Sequence, residues 1–168
     1  MEFNWDELTR GDKTSVISAC LMKHILLTGH NLKVGLREIN VNIGKGKSNL
    51  RIDVLEINKK KNELVGYEIK SCIQDFRTDK KWEKYLDLVN QLYFVFDDKT
   101  FNSHEEEILE KVKNKAGIYI YNTSAKWICL KKGVKFTELP EKTEEFYRTI
   151  LFNYLFRQGR DILNRLGN

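Results

Sequence analysis

Three strand-length stretches follow one another within residues 34–70, joined by connections too short for anything but antiparallel neighbours. In 34–43, Ile39, Val41 and Ile43 alternate with Glu38, Asn40 and Asn42, the period-two pattern of a half-buried strand. A glycine-lysine turn at 44–48 leads to a second strand at 50–57, and the polar loop 58–63 leads to a third at 64–70. Parallel neighbours need a crossover of roughly a dozen residues or more, which neither connection provides. These stretches therefore predict an antiparallel meander.

What flanks the meander must cover it. A helix is predicted over 14–27, with Thr14 or Ser15 to cap it and Gly29 after its end. Downstream, 74–91 carries a helical period, 92–96 reads as a short buried strand and 104–113 as a polar helix. Further strands are predicted at 117–121 and 126–130. After Pro140, the one proline, 141–166 reads as a long helix that breaks near Gly159. Its apolar stripe, Phe146, Tyr147, Ile150, Leu151, Tyr154, Leu155, Ile162 and Leu166, faces either the core or a second copy in a homodimer. Helices alternating with strands after a meander predict an α/β fold, a mixed β-sheet flanked by helices.

A chain of 168 residues buries about 70% of its unfolded surface, enough for one core. The expectation is one domain over 1–168, with its core at about 14–130 and a C-terminal helix at about 141–166. No apolar run reaches the length of a membrane span, and MEFNWDELTR lacks the basic-then-apolar pattern of a signal peptide. Cys20, Cys72 and Cys129 form no CxxC pair. The protein is expected to be cytoplasmic, with no membrane partner. A net charge of +5 and a pI of ≈ 9.0 suit a polyanionic partner, and equally suit solubility alone.

The third strand places Glu68 and Lys70 on one face and Val65, Tyr67 and Ile69 on the other. Closing the hairpin symmetrically pairs Ile57 with Leu64, and counting back sets Asp53 opposite Glu68. Facing carboxylates repel unless something lies between them. A Mg²⁺ ion bound by carboxylate oxygens, water and phosphate would satisfy both. Lys70 would then orient an attacking water or offset charge on a phosphate. An ordinary surface hairpin with a Glu–Lys neighbour pair has the same spacing, and a one-residue slip would abolish the geometry.

Asp53, some fifteen residues, then Glu68-Ile69-Lys70 resembles the core motif of the PD-(D/E)XK nuclease superfamily. More narrowly, Arg51-Ile52-Asp53-Val54, Tyr67 to Ser71, Asp75-Phe76-Arg77, Asp79-Lys80-Lys81-Trp82, Tyr85-Leu86 and Leu92-Tyr93-Phe94 resemble its MmcB-like DNA-repair branch. The resemblance covers about 14–96 and implies a restriction-endonuclease-like core. It implies that Asp53 and Glu68 hold Mg (or Mn), that Lys70 acts in catalysis, and that the substrate is DNA. The superfamily often carries another acid on its first helix, whereas Val16 to Leu27 contains none. Glu38 is the substitute metal-ligand candidate; Glu56 faces the other side. The leading expectation is metal-dependent hydrolysis of DNA phosphodiesters, in DNA repair or mobile-element biology. The alternative is a catalytically silent nucleic-acid-binding or regulatory module on the same fold.

On a helical wheel of 74–91, Trp82, Tyr85, Leu86 and Val89 form one stripe, which reads as core. Arg77, Lys80, Lys81 and Lys84 cluster opposite, either as phosphate contacts or as a solvated face. Asp75 and Asp79 lie beside the apolar stripe and are placed to turn towards the sheet. Gly44-Lys45-Gly46-Lys47-Ser48 is no P-loop, since Val41 stands where that motif needs glycine and no helix follows. Lys45 and Lys47 nonetheless join the phosphate-contact candidates. His24, His30 and His104 lack metal-ligand spacing, so zinc is not expected.

Overall fold

In the computed structural model, which describes residues 4–29, 32–42, 49–58, 60–61, 63–139, 150, 152 and 154–156, the meander forms as expected. Strands β1 (Lys33–Asn42), β2 (Asn49–Asn58) and β3 (Glu63–Lys70) pair antiparallel in that order. The second hairpin closes with Ile57 opposite Leu64. Strand β4 (Gln91–Asp97) joins β3 in parallel, β5 (Gly117–Asn122) joins β4 in parallel, and β6 (Trp127–Lys132) closes the far edge antiparallel. The result is a six-stranded mixed sheet in sequence order.

Helix α1 (Arg10–Thr28) covers one face. It starts four residues before the expected Thr14, because Thr9 and Asp12 form a reciprocal capping box that satisfies two orphan amides. It ends at Gly29, where a Cβ would lie 2.5 Å from the Lys33 Cβ, so only glycine lets helix and strand approach. Ile17, Leu21 and Ile25 pack on Val54, Val65, Tyr67, Ile69, Tyr93 and Val95.

The two parallel crossovers cover the opposite face. The first comprises α2 (Ile73–Thr78) and a 3-10 helix (Trp82–Asp87); the second comprises α3 (Asp98–Ser103) and α4 (Glu105–Val112). Phe76 and Trp82 meet Phe94 edge-on, with ring centroids 5.1 and 5.4 Å apart, and Phe101, Ile108 and Val112 join the same layer. Each fully buried aromatic or aliphatic side chain of this kind contributes about 1.5–3 kcal/mol.

The continuous helix expected over 74–91 is two short pieces. Asp79 is extended (φ −71°, ψ 110°), and its Oδ1 accepts the Lys81 and Trp82 amides at 2.8 and 3.3 Å. From α4, the Lys111 ammonium donates to the carbonyls of Phe76, Arg77 (3.1 Å) and Asp79 (3.4 Å). It thereby takes the carbonyls that a longer α2 would have bonded internally. Helix α3, over Asp98–Ser103, was not expected; Asp97 caps it by accepting the Thr100 amide. Lys111→Met, which loses these bonds and the ammonium's place 4.4 Å over the Phe76 ring, should lower unfolding free energy by about 1–2 kcal/mol in urea titration.

Most of the expected C-terminal helix, like Lys45 and Lys47, lies outside the described residues. Of its described residues, Ile150 is buried in the α2 layer and Tyr154 packs against it, while Phe152, Leu155 and Phe156 are exposed. No helix among the described residues is long and apolar enough to cross a membrane.

Candidate functional site

The regular alternation of the first hairpin changes phase at one place. Leu36 and Ile39 on β1, and Leu55 and Ile52 on β2, all join the α2 layer although each pair is three residues apart. Between them stand Glu38, at φ 50°, and Asp53. A positive φ on a non-glycine residue costs about 1–3 kcal/mol. Cross-strand pairing of β2 with β3 ends at Val54 and Tyr67; one step further, the Asp53 Oδ2 accepts the Ile69 amide at 2.9 Å. The paired register stops one step short of Asp53 and Glu68, and the Asp53 charge lies near enough to act on the Glu68 carboxyl.

Glu68 and Lys70 point into the α2 layer and are 4% and 7% exposed. The Glu68 Oε1 is buried with no hydrogen-bond partner. Its Oε2 lies 3.5 Å from the Lys70 Nζ, which makes its close contact, 2.6 Å, with the Asp79 Oδ2. Burial, reinforced by the Asp53 charge, pushes the Glu68 carboxyl up to about 8, so the proton is largely retained at neutral pH. Burial also raises Asp53, only partly offset by the Ile69 amide. Burial works to depress Lys70, but Glu68 and Asp79 outweigh it and hold the ammonium above its ordinary value. For Asp79, burial pushes upward, and the bond from Lys70 more than reverses it. Tyr85 closes the wall, donating to the Arg51 carbonyl at 2.9 Å.

Of these groups Lys70, Asp79 and Tyr85 border an open cleft of about 390 Å³, lined also by Ile69, Asp75, Thr78, Lys80 and Lys81, with Asp53 and Glu68 set behind Ile69 and Lys70. Lys80 and Lys81 thus reach the cleft from the loop between α2 and the 3-10 helix. The four-residue basic stripe expected on one helix does not form, because that helix is broken. Arg77 instead makes a two-pronged ion pair with Glu107 of α4, at 2.7 and 2.6 Å, and Lys84 is exposed on the 3-10 helix away from the cleft lining. Glu38 is near enough to Asp53 to raise its carboxyl, yet among the described residues no three His, Cys, Asp or Glu side chains gather as a metal site. Glu56 faces away, buried, and bonds the Tyr67 hydroxyl at 2.8 Å and Lys33 at 2.7 Å. Lys111 has no local signal in the sequence, since the carbonyls it binds are more than thirty residues earlier.

The family model described as DNA repair protein MmcB-like matches residues 24–107, half of the chain and every site residue just placed except Lys111. This chain belongs to the MmcB-like family of DNA repair proteins. Solved structures resemble the chain at low identity, which shows the fold alone. A protein of unknown function from Silicibacter pomeroyi superposes with a TM-score of 0.68 at 19% identity, over 96% of this chain and 97% of that one. An XisH family protein from Nostoc punctiforme superposes with a TM-score of 0.51 at 16% identity, over 70% of this chain and 99% of that one. XisH proteins have the restriction-endonuclease-like fold, and the MmcB-like chain shares that core. No curated protein matches the chain.

Proposed function

We propose that this MmcB-like protein hydrolyses DNA phosphodiester bonds with the help of Mg²⁺ or Mn²⁺. The observation that carries the reading is the buried Glu68 carboxyl, with one oxygen unpartnered and Asp53 across the strand end. Hard carboxylate oxygens in that arrangement fit a divalent cation completed by water and phosphate oxygens. Asp53 and Glu68 would hold it, and the bound ion would acidify a water and polarise the phosphoryl group. Lys70 would orient the water whose oxygen attacks phosphorus and offset charge on the phosphate as the bond to the leaving sugar oxygen breaks. Lys80 and Lys81 would position the DNA backbone along the cleft.

The test is incubation with end-labelled single-stranded, duplex and branched DNA in Mg²⁺, Mn²⁺ or EDTA. Cleavage in either metal and none in EDTA supports the reading; no cleavage of any substrate overturns it. A second reading, a silent DNA-binding or regulatory module, draws on the donor set, since among the described residues no three His, Cys, Asp or Glu side chains gather as a metal site. It requires DNA affinity without cutting. Under both readings, Lys80→Gln with Lys81→Gln should weaken binding across sequences and flatten the slope of log affinity against log salt by about 1.5. An unchanged slope would confine these lysines to solubility. The homodimer expected at the C-terminal helix draws on its exposed Phe152, Leu155 and Phe156.

A further inference from the structure

We propose that Asp79 is a positioning residue that draws the Lys70 ammonium away from Glu68 and aims it into the cleft. The inference rests on the nuclease reading above and adds a residue to it. The two oxygens of Asp79 do separate work. Oδ1 accepts the amides of Lys81 and Trp82 and so fixes the loop; Oδ2 takes Lys70 at 2.6 Å. Glu68, the other acid within reach, stands 3.5 Å from the same nitrogen.

The loop that carries Asp79 is itself held at both ends. Lys111 donates to the Asp79 carbonyl, and Trp82 is seated on Phe94. Lys80 and Lys81 extend from this loop into the cleft, so the carboxylate that aims Lys70 and the lysines that face the backbone of a bound strand move as one piece. An ammonium has three donors; with one on Asp79 and one on the longer bond to Glu68, one remains for a water or a phosphate oxygen. Without Asp79, the nearest remaining acceptor for the ammonium is the Glu68 oxygen at 3.5 Å, and Lys70 would close on the carboxyl group that the cation needs. Asp79 therefore keeps cation site and lysine apart.

Asp79→Asn separates this role from loop support, because its amide oxygen can still accept from Lys81 and Trp82 while its NH₂ cannot accept from Lys70. The variant should unfold at nearly the wild-type temperature and bind DNA in EDTA with nearly wild-type affinity. Its single-turnover cleavage rate at saturating metal should fall about 10–100-fold with half-saturation by DNA unchanged. Asp79→Glu, which retains an acceptor, should recover part of the rate. Independently of activity, the Lys70 ammonium should give a ¹H–¹⁵N correlation at mildly acidic pH, assigned by its absence in Lys70→Met, and lose or shift it in Asp79→Asn. A wild-type rate with an unmoved ammonium signal in Asp79→Asn would overturn the proposal, as would a rate loss matched by equal losses of stability and DNA affinity. If the wild-type protein cuts no DNA, the nuclease reading falls, and the ammonium signal alone decides the pairing: its loss supports the positioning, its retention overturns it.

Discussion

Lys70→Met should lower metal-dependent cleavage by about 10²–10³-fold, the usual loss on removing a group that stabilises developing charge. Asp53→Asn should do at least as much. Met is close to the Lys70 stem in length and apolar character, and the Asn oxygen can still accept the Ile69 amide, so both variants should retain the fold. The measurements are single-turnover rates on end-labelled DNA, paired with melting curves. Wild-type rates in either folded variant would remove Lys70 or Asp53 from the chemistry.

A second large effect concerns stability and its dependence on pH and metal. Native Glu68 holds its proton up to about pH 8, whereas the unfolded side chain releases it near 4.5. Between those values the folded state binds more protons, so the stability of metal-free protein falls as pH rises and levels off above about 8. At about 1.4 kcal/mol per pKa unit, the loss is on the order of a few kcal/mol. Asp53, also raised, acts in the same direction. His24, lowered by burial, opposes them below its unfolded value of 6.5. Lys70, raised, contributes stability that persists until pH climbs past its ordinary 10.5, and Asp79, lowered, loses its contribution only below 3.8, so neither acts in this window.

Glu68→Gln should therefore flatten the decline and be the more stable protein at pH 8 without metal. Adding Mg²⁺ or Mn²⁺ should raise the melting temperature of wild type by mass action, about 2.7 kcal/mol at a hundredfold excess over the dissociation constant. The rise should be larger at pH 8 than at pH 6, because proton and cation compete for the same oxygens. Equal shifts in wild type and Glu68→Gln would place the cation elsewhere.

The meander was legible because two rules act over short distances. Strand alternation tells inside from outside, and a six-residue loop leaves one symmetric closure, which brought Asp53 near Glu68 and sent Glu56 to the other face. Trp82 and Tyr85 were legible as core for the same reason, as four apolar residues shared a stripe. The helix that carried them was not legible as broken. Its break comes from Asp79, whose turn-forming chemistry was available in the sequence, and from Lys111, which arrives from another element. The true start of α1 was written in Thr9-Arg10-Gly11-Asp12, a capping box with aspartate in place of the commoner glutamate. Arg77 looked like a phosphate contact because its partner, Glu107, lies thirty residues on.

The brace from α4 also has a consequence for the order in which the molecule becomes competent. Asp53, Glu68, Lys70 and Asp79 are all synthesised before Lys111, yet the loop that bears Asp79 is capped by it. A nascent chain that has already paired β2 with β3 carries its acids but not the clamp that shapes the cleft around them. Closing that long-range contact carries an entropic cost that the local hairpin does not bear. The site is therefore expected to mature only after the second crossover has docked, and a fragment ending with the family match at Glu107 is expected to keep the acids while lacking the Lys111 brace on the loop that bears Asp79.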